Sequence, residues 1–335
     1  MVVVSTPIIG PVMRTAASGV ALHGRHLNEV SAGTVGEFTA AIADSSINKI
    51  LLEAGTYELT SDVCDGYSAV CIDRALTIEA EVPGAMVLNA MGARRVFHVQ
   101  SGGMVKLVGL NITGGEAYSR CERCLDWGGG GVYVAPNGVA NFEGCNIHDN
   151  TATYRGPGGG VFVSSNGVAN FEGCNIHGHI AATGGGLYIS GTATLTNTTV
   201  YSNWAYSGGG VVVNSNGVAN LVGCNVHDNL AETAGGFYIH GTATLTNTNV
   251  YSNLATESGY GWGGGLNIKG TATLTNTNVY SNVAGWGGGV FVDSNGVANL
   301  EGCNIHDNIV GSAYAKSVSA CILNLPRRFL HCPLN

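Results

Sequence analysis

The chain has 335 residues, of which 52 are Gly and only 11% are charged, and its net charge is −8. Glycine without a three-residue period and only 7 Pro exclude collagen, while 45% apolar residues are more than a disordered chain carries. The acidic balance argues against a nucleic-acid surface, and no apolar run is long enough for a membrane-spanning helix. Residues 1–30 show no periodicity; the apolar start, broken by Ser5, Thr6 and Pro7 and lacking a basic region, makes a poor signal peptide. Val35, Phe38 and Ile42 recur at helical spacing and predict a short helix over about 36–43, followed by a strand over 49–53. Less regular coils follow over 50–59, 71–88 and 96–113.

From there the chain repeats. Gly triplets end at Gly131, Gly160, Gly186, Gly210, Gly265 and Gly289, with Ala234-Gly235-Gly236 as a variant, at spacings of 29, 26, 24, 26, 29 and 24 residues. A short apolar run such as Val132-Tyr133-Val134 follows each triplet, and then one of two cassettes, NGVANFEGCNIHDN at 137–150 or GTATLTNTNVYSN at 241–253. Their period-two patterning predicts three short strands per repeat, joined by turns and a loop of variable length. Between the second and third strands stand Gly144, Gly173, Asn197, Gly223, Asn247, Asn276 and Gly302. Gly and Asn are the residues that adopt a left-handed backbone most readily, so this position is a sharp corner. The inward positions of the first strong coil are Val132, Val134, Ala140, Phe142, Cys145 and Ile147, and each later coil repeats them. No coil buries this face alone, so stacking must do it.

This pattern predicts an all-β solenoid of about ten coils of 24–29 residues. Over roughly residues 31–310 it resembles the right-handed parallel β-helix of pectin-lyase-like proteins. The Gly-triplet cassette also resembles the repeats of polymorphic outer-membrane and algal surface proteins. The resemblance implies that the short helix caps the N-terminal end of the β-helix. The expected organisation is an irregular segment at 1–30, cap and first strand at 31–60, β-helix at 61–311 and an irregular tail at 312–335.

The fold implies little about activity. A polysaccharide lyase of this kind needs a cationic base, yet Arg155 and Lys269 are the only Lys or Arg over 131–310. A hydrolase needs clustered carboxylates on the first sheet, whose outward row here reads Tyr133, Phe162, Tyr188, Val212, Tyr238, Asn267 and Phe291. No catalytic residue is therefore assigned. Tyr133, Phe162, Tyr188, Tyr238 and Phe291 form a candidate glycan stripe, since sugar C–H faces pack on aromatic rings. Glu143 and Glu172 stand on adjacent rungs as a like-charge pair or a calcium site, and His148, His177 and His179 are close enough in sequence register for a metal. Cys64 with Cys71, Cys121 with Cys124, and Cys321 with Cys332 are candidate local disulfides, which would imply an oxidising compartment. Cys121-x-x-Cys124 also reads as half of a zinc site, but no second pair has metal spacing. Cys145, Cys174, Cys224 and Cys303 sit where other coils have Thr and read as small buried residues. The expectation is a non-catalytic extracellular or cell-surface β-helix that serves as a carbohydrate-contacting, adhesive or wall-associated scaffold, with calcium as the one cofactor considered. A polysaccharide-active enzyme and a structural subunit of a larger assembly are the alternatives.

Overall fold

The computed structural model describes residues 28–60, 65–118, 128–152, 156–256 and 261–311. Alternating inward and outward side chains make each cassette a set of short strands, and these stack into a parallel solenoid of about nine turns. In chain order within a coil, the first face has nine strands, from Ser68–Ile72 through Val132–Val134 to Val290–Val292. The second face has eleven, from Glu29–Ala32 through Val139–Glu143 to Val297–Glu301. The third has ten, from Gly55–Glu58 through Asn146–His148 to Asn304–His306. A fourth face of eight strands, from Glu116–Ala117 through Thr151–Ala152 to Ile309–Val310, occupies what the sequence pattern reads as a variable loop. These strands are too short to show a period, although all but the last, Ile309–Val310, bury one alanine, as Ala152, Ala181, Ala205 and Ala231 show.

Register is strict. Ala140 pairs with Ala169 and Phe142 with Phe171, whose rings stack 4.6 Å apart at an interplanar angle of 5°. At the N-terminal end the helix Val35–Ala43 buries Phe38, Ala41 and Ile42. Thr34 caps it: its hydroxyl accepts the Glu37 N–H while the Glu37 carboxylate accepts the Thr34 N–H. The predicted corner residues Gly144, Gly173, Asn197, Gly223, Asn247, Asn276 and Gly302 all have φ between 49° and 65°. A second left-handed corner, unforeseen from the sequence, precedes the fourth face. There Asp149, Ser202, Asp228, Ser252, Ser281 and Asp307 have φ between 51° and 53°.

The residue after that second corner explains why side chains without glycine's freedom accept this conformation. Asn150, Asn203, Asn229, Asn253, Asn282 and Asn308 turn inward and are buried. From Asn203 to Asn282, each backbone N–H and each Nδ2–H donates to the Oδ1 of the next coil's Asn at 2.9–3.1 Å, the series ending on Asn308. Each Nδ2 also donates to a carbonyl of the preceding coil at 2.9–3.2 Å, as Asn229 does to Val200. Such a bond contributes about 1 kcal/mol net, but an amide left unpaired at that depth costs roughly 1–3 kcal/mol, so the column tolerates no gap.

The Gly triplets face this column. A Cβ on Gly210 would stand 2.7 Å from the Gly236 carbonyl oxygen and 3.0 Å from the Asn229 Nδ2. A Cβ on Gly236 would meet the Gly265 carbonyl oxygen at 2.5 Å and the Asn253 Nδ2 at 3.1 Å. The third glycine is thus absent of side chain for steric reasons, not because of its backbone angles.

His179 takes the column position in one coil and replaces the amide's bonds to the backbone, though not its side-chain bonds to the neighbouring amides. Its Nδ1 accepts the Asn150 N–H at 3.1 Å, its Nε2–H donates to the Ile147 carbonyl at 3.0 Å, and its own N–H donates to Asn203 Oδ1 at 3.1 Å. This pattern requires the neutral ring, and burial pushes its pKa from 6.5 down to about 3. The inward thiols Cys145, Cys174, Cys224 and Cys303 are free, and the equivalent Thr198 hydroxyl donates to the Thr196 carbonyl.

Two outcomes test this account. Gly210→Ala, which forces rungs apart, should destabilise by about 2–3 kcal/mol. Gly173→Ala has open space around its Cβ, so it should lose only about 1 kcal/mol to left-handed strain. Thermal melting of the two variants checks the ranking. Because the unfolded chain binds a proton at His179 that the folded chain refuses, stability must fall as pH drops from 6.5 toward 3. His179→Asn should remove that loss, so its advantage over the parent should grow by about 3 kcal/mol between pH 7.5 and pH 4.5.

Candidate functional site along the first face

The outward positions of the first face form one continuous row. In register they are Cys71, His98, Tyr133, Phe162, Tyr188, Val212, Tyr238, Asn267 and Phe291. The sequence places five of these on an open aromatic stripe, and the structure divides them. Tyr133 and Phe162 are only 3% and 7% exposed, which leaves no ring face for a sugar. Their rings lie 5.3 Å apart, and Phe162 meets Tyr188 edge-on at 5.3 Å. The glycine segment entering each coil folds back over them: a Cβ on Gly128 would stand 2.7 Å from the Phe162 ring. Tyr188, Tyr238 and Phe291 are half-buried.

Polar groups gather at the N-terminal end of the row. Asp65 Oδ1 accepts the N–H groups of Tyr67 and Ser68 at 2.8 and 2.7 Å, and its Oδ2 faces His98 Nδ1 at 2.8 Å and Ser68 Oγ at 3.1 Å. Burial opposes ionisation of this carboxyl, but the hydrogen bonds of His98, Tyr67 and Ser68 outweigh it and hold the group well below the usual carboxylate range. Beside it the buried Arg95 donates to the carbonyls of Gly128 and Gly129 and lies 4.9 Å from the Tyr133 ring centre. Asp65, Cys71 and His98 offer ligand atoms within 4.8 Å of one another, the only such metal-like group among the described residues. Cys71 is disulfide-bonded, however, and so lacks the thiolate a metal needs. What remains is a carboxylate–imidazole pair, with His98 Nδ1 donating. The other disulfide candidates, Cys64, Cys121, Cys124, Cys321 and Cys332, lie outside the described residues, as does Arg155.

The C-terminal end differs. Trp262 and Trp286 pair on adjacent coils beside the row and are 36% and 50% exposed. The Trp262 indole stacks on Phe291, with ring centres 6.2 Å apart. Lys269 Nζ lies 5.3 Å from the Tyr238 ring centre and 3.8 Å from the Asp293 carboxylate. His240 packs edge-on against Tyr238 at 4.3 Å, and burial together with the Lys269 charge lowers its pKa. Exposed rings and hydrogen-bonding groups of both signs thus share one surface. Neither tryptophan is visible as a site in the sequence, because both fall in the segment of variable length before a triplet.

The proposed metal ligands come together only as pairs. Glu143 and Glu172 are indeed in register, but Lys106 Nζ sits 2.8 Å from the Glu143 carboxylate and supplies its counter-charge. The calcium expectation therefore loses the paired charge on which it rests. His179 points inward, fully occupied by the amide column. His148 and His177 point outward and stack 5.4 Å apart, with His148 Nδ1 on Asp149 at 2.9 Å and His177 Nε2–H donating to Asn146 Oδ1 at 3.0 Å. They begin a seven-ring ladder that continues through Tyr201, His227, Tyr251 and Tyr280 to His306 at centre spacings of 4.6–5.3 Å.

Among solved structures the chain is similar to a pectate lyase, Pel9A, with a TM-score of 0.52 and 14% identity over 84% of this chain and 73% of that one. It also aligns with the pectin methylesterase of Aspergillus niger, at 17% identity and a TM-score of 0.41, over 86% of this chain and 87% of that one. A mannuronan C-5 epimerase A-module from Azotobacter vinelandii aligns at 14% identity and a TM-score of 0.38, over 81% and 91% of the two chains. No protein-family model matches the chain, and no curated protein sequence matches it. The fold is the right-handed parallel β-helix of pectin-lyase-like proteins, and at such identity the likeness extends to the fold alone. No helix among the described residues is long and apolar enough to cross a membrane.

Because Tyr133 is a covered ring, Tyr133→Ala should cost roughly 3–5 kcal/mol of stability, as buried aromatic truncations do. Retention of the folded variant on any polysaccharide the parent binds should be unchanged in affinity electrophoresis.

Proposed function

We propose that this protein contacts polysaccharide through the C-terminal half of its first face and works outside the cell or at its surface. The observation that carries this reading is the pair of exposed indoles, Trp262 and Trp286, on adjacent coils beside Phe291 and Tyr238. Large exposed aromatic rings are unfavourable in water unless something covers them, and the C–H face of a pyranose packs on such a ring. Lys269 and Asp293, both partly exposed, add a donor and an acceptor for hydroxyls at the rim. The disulfide at Cys71 supports an oxidising, extracytoplasmic setting.

A second reading, a polysaccharide-active enzyme, is favoured by the Asp65–His98 pair. A carboxylate holding Nδ1–H of a histidine leaves Nε2 as a base. The two readings share a ligand and differ in chemistry. Affinity electrophoresis on a panel of cell-wall polysaccharides, with reducing ends measured on the same samples, separates them. Binding predicts retention that Trp262→Ala with Trp286→Ala abolishes at a nearly unchanged melting temperature, with no new reducing ends. Turnover that disappears in His98→Ala would establish the enzyme instead. Retention unaffected by loss of both indoles would remove the binding face proposed.

A further inference from the structure

We infer that the amide of Asn267 forms a subsite for a neutral, hydroxyl-bearing sugar unit, an inference that rests on the glycan surface proposed above and names its ligand class. Asn267 stands in the outward row between Tyr238 and Phe291 and is completely buried. Its Oδ1 has no hydrogen-bond partner, and its Nδ2 reaches only the Trp262 carbonyl, at 3.5 Å. A buried acceptor without a donor is destabilising and rare in folded proteins. The fold does not require it: the same row position holds Val212 and Phe162 in other coils, and both bury well.

The chemistry of the unpaired oxygen selects the ligand. Oδ1 accepts and cannot donate, so its partner must bring an O–H or N–H. Its row neighbours are Tyr238 and Phe291; Trp262 stacks on Phe291, and Lys269 lies over Tyr238 and beside the Asp293 carboxylate, so the charges of this surface cancel. The remaining titratable neighbour, His240, has its pKa lowered and is neutral at neutral pH. A uronate carboxylate would bring negative charge toward an acceptor oxygen and Asp293. A neutral hexose brings hydroxyls to Oδ1 and a C–H face to the indoles. The amide is fully buried, so a ligand reaches it only by displacing part of this wall, of which Trp262 is the exposed member.

The test uses the full chain and soluble probes: a β-glucan, a galactan and a mannan as neutral polymers, polygalacturonate and alginate as acidic ones. The expected result is retention on at least one neutral polymer and none on the acidic pair. Asn267→Val, which installs the residue that Val212 supplies at this row position two coils away, should weaken that retention about tenfold or more, with a melting temperature equal to or above the parent's. Asn267→Ser supplies the same reading if the valine variant does not fold. Stronger retention on polygalacturonate or alginate, abolished by loss of Trp262 and Trp286, would overturn this inference and leave the glycan surface standing. So would unchanged neutral retention in Asn267→Val; with a lowered melting temperature, that outcome would identify a buried water as the amide's only partner. A parent chain that retains none of the polymers overturns both.

Discussion

One amide per coil organises this molecule. The buried column that runs through Asn150, His179, Asn203, Asn229, Asn253, Asn282 and Asn308 binds each coil to the one before and the one after, with distances that leave no slack. The surrounding sequence follows from it. The residue before each amide must turn left-handed to aim it inward, even where that residue is Asp or Ser. The residues packed against it must lack a side chain, which is why the Gly triplet recurs where Gly131, Gly186, Gly210, Gly236, Gly265 and Gly289 meet the amide nitrogens. Apolar columns such as Val132, Val161, Leu187 and Val211 supply most of the burial, but they are non-directional. The amides supply register.

The same constraint shapes the outer surface. Glycine segments that lie flat against the column also lie close to the first face, and near Tyr133 and Phe162 they close over it. Arg95 ties that cover down through the carbonyls of Gly128 and Gly129. Toward the C-terminal end, Trp262 and Trp286 stand at the position held by Pro157, Thr183 and Ser207 in earlier coils, so the cover carries exposed rings there. One row therefore presents a half-buried carboxylate–imidazole pair at one end and an accessible aromatic surface at the other.

How much of this the sequence discloses depends on how local each cause is. The corner at Gly144, Gly173 and Asn197 is legible because it uses residues with a distinctive backbone preference. The inward rows are legible because alternation is a property of adjacent residues. The fourth face is not, since two to four residues around a single alanine have no period. The amide column hides in plain view: Asn150 ends a cassette in Asp-Asn, a pair that reads as a turn. His179 reads as a surface histidine beside His177, and only the atoms around it, 29 residues away at Asn150 and 24 away at Asn203, reveal an amide substitute. The burial of Tyr133 and the pairing of Asp65 with His98, 33 residues apart, are likewise non-local and leave no motif.

The amide column also separates two kinds of change that usually compete within one domain. Each coil presents the same acceptor to its predecessor and the same donors to its successor, so a copied coil is compatible with any neighbour on arrival. The segment before each triplet lies outside that exchange, and the coil spacing varies between 24 and 29 residues while the column stays in register. Duplication can therefore lengthen the rod while the exterior of each copy diverges independently, one coil acquiring tryptophans and another a proline. In such a molecule recognition can be rewritten without renegotiating the interior.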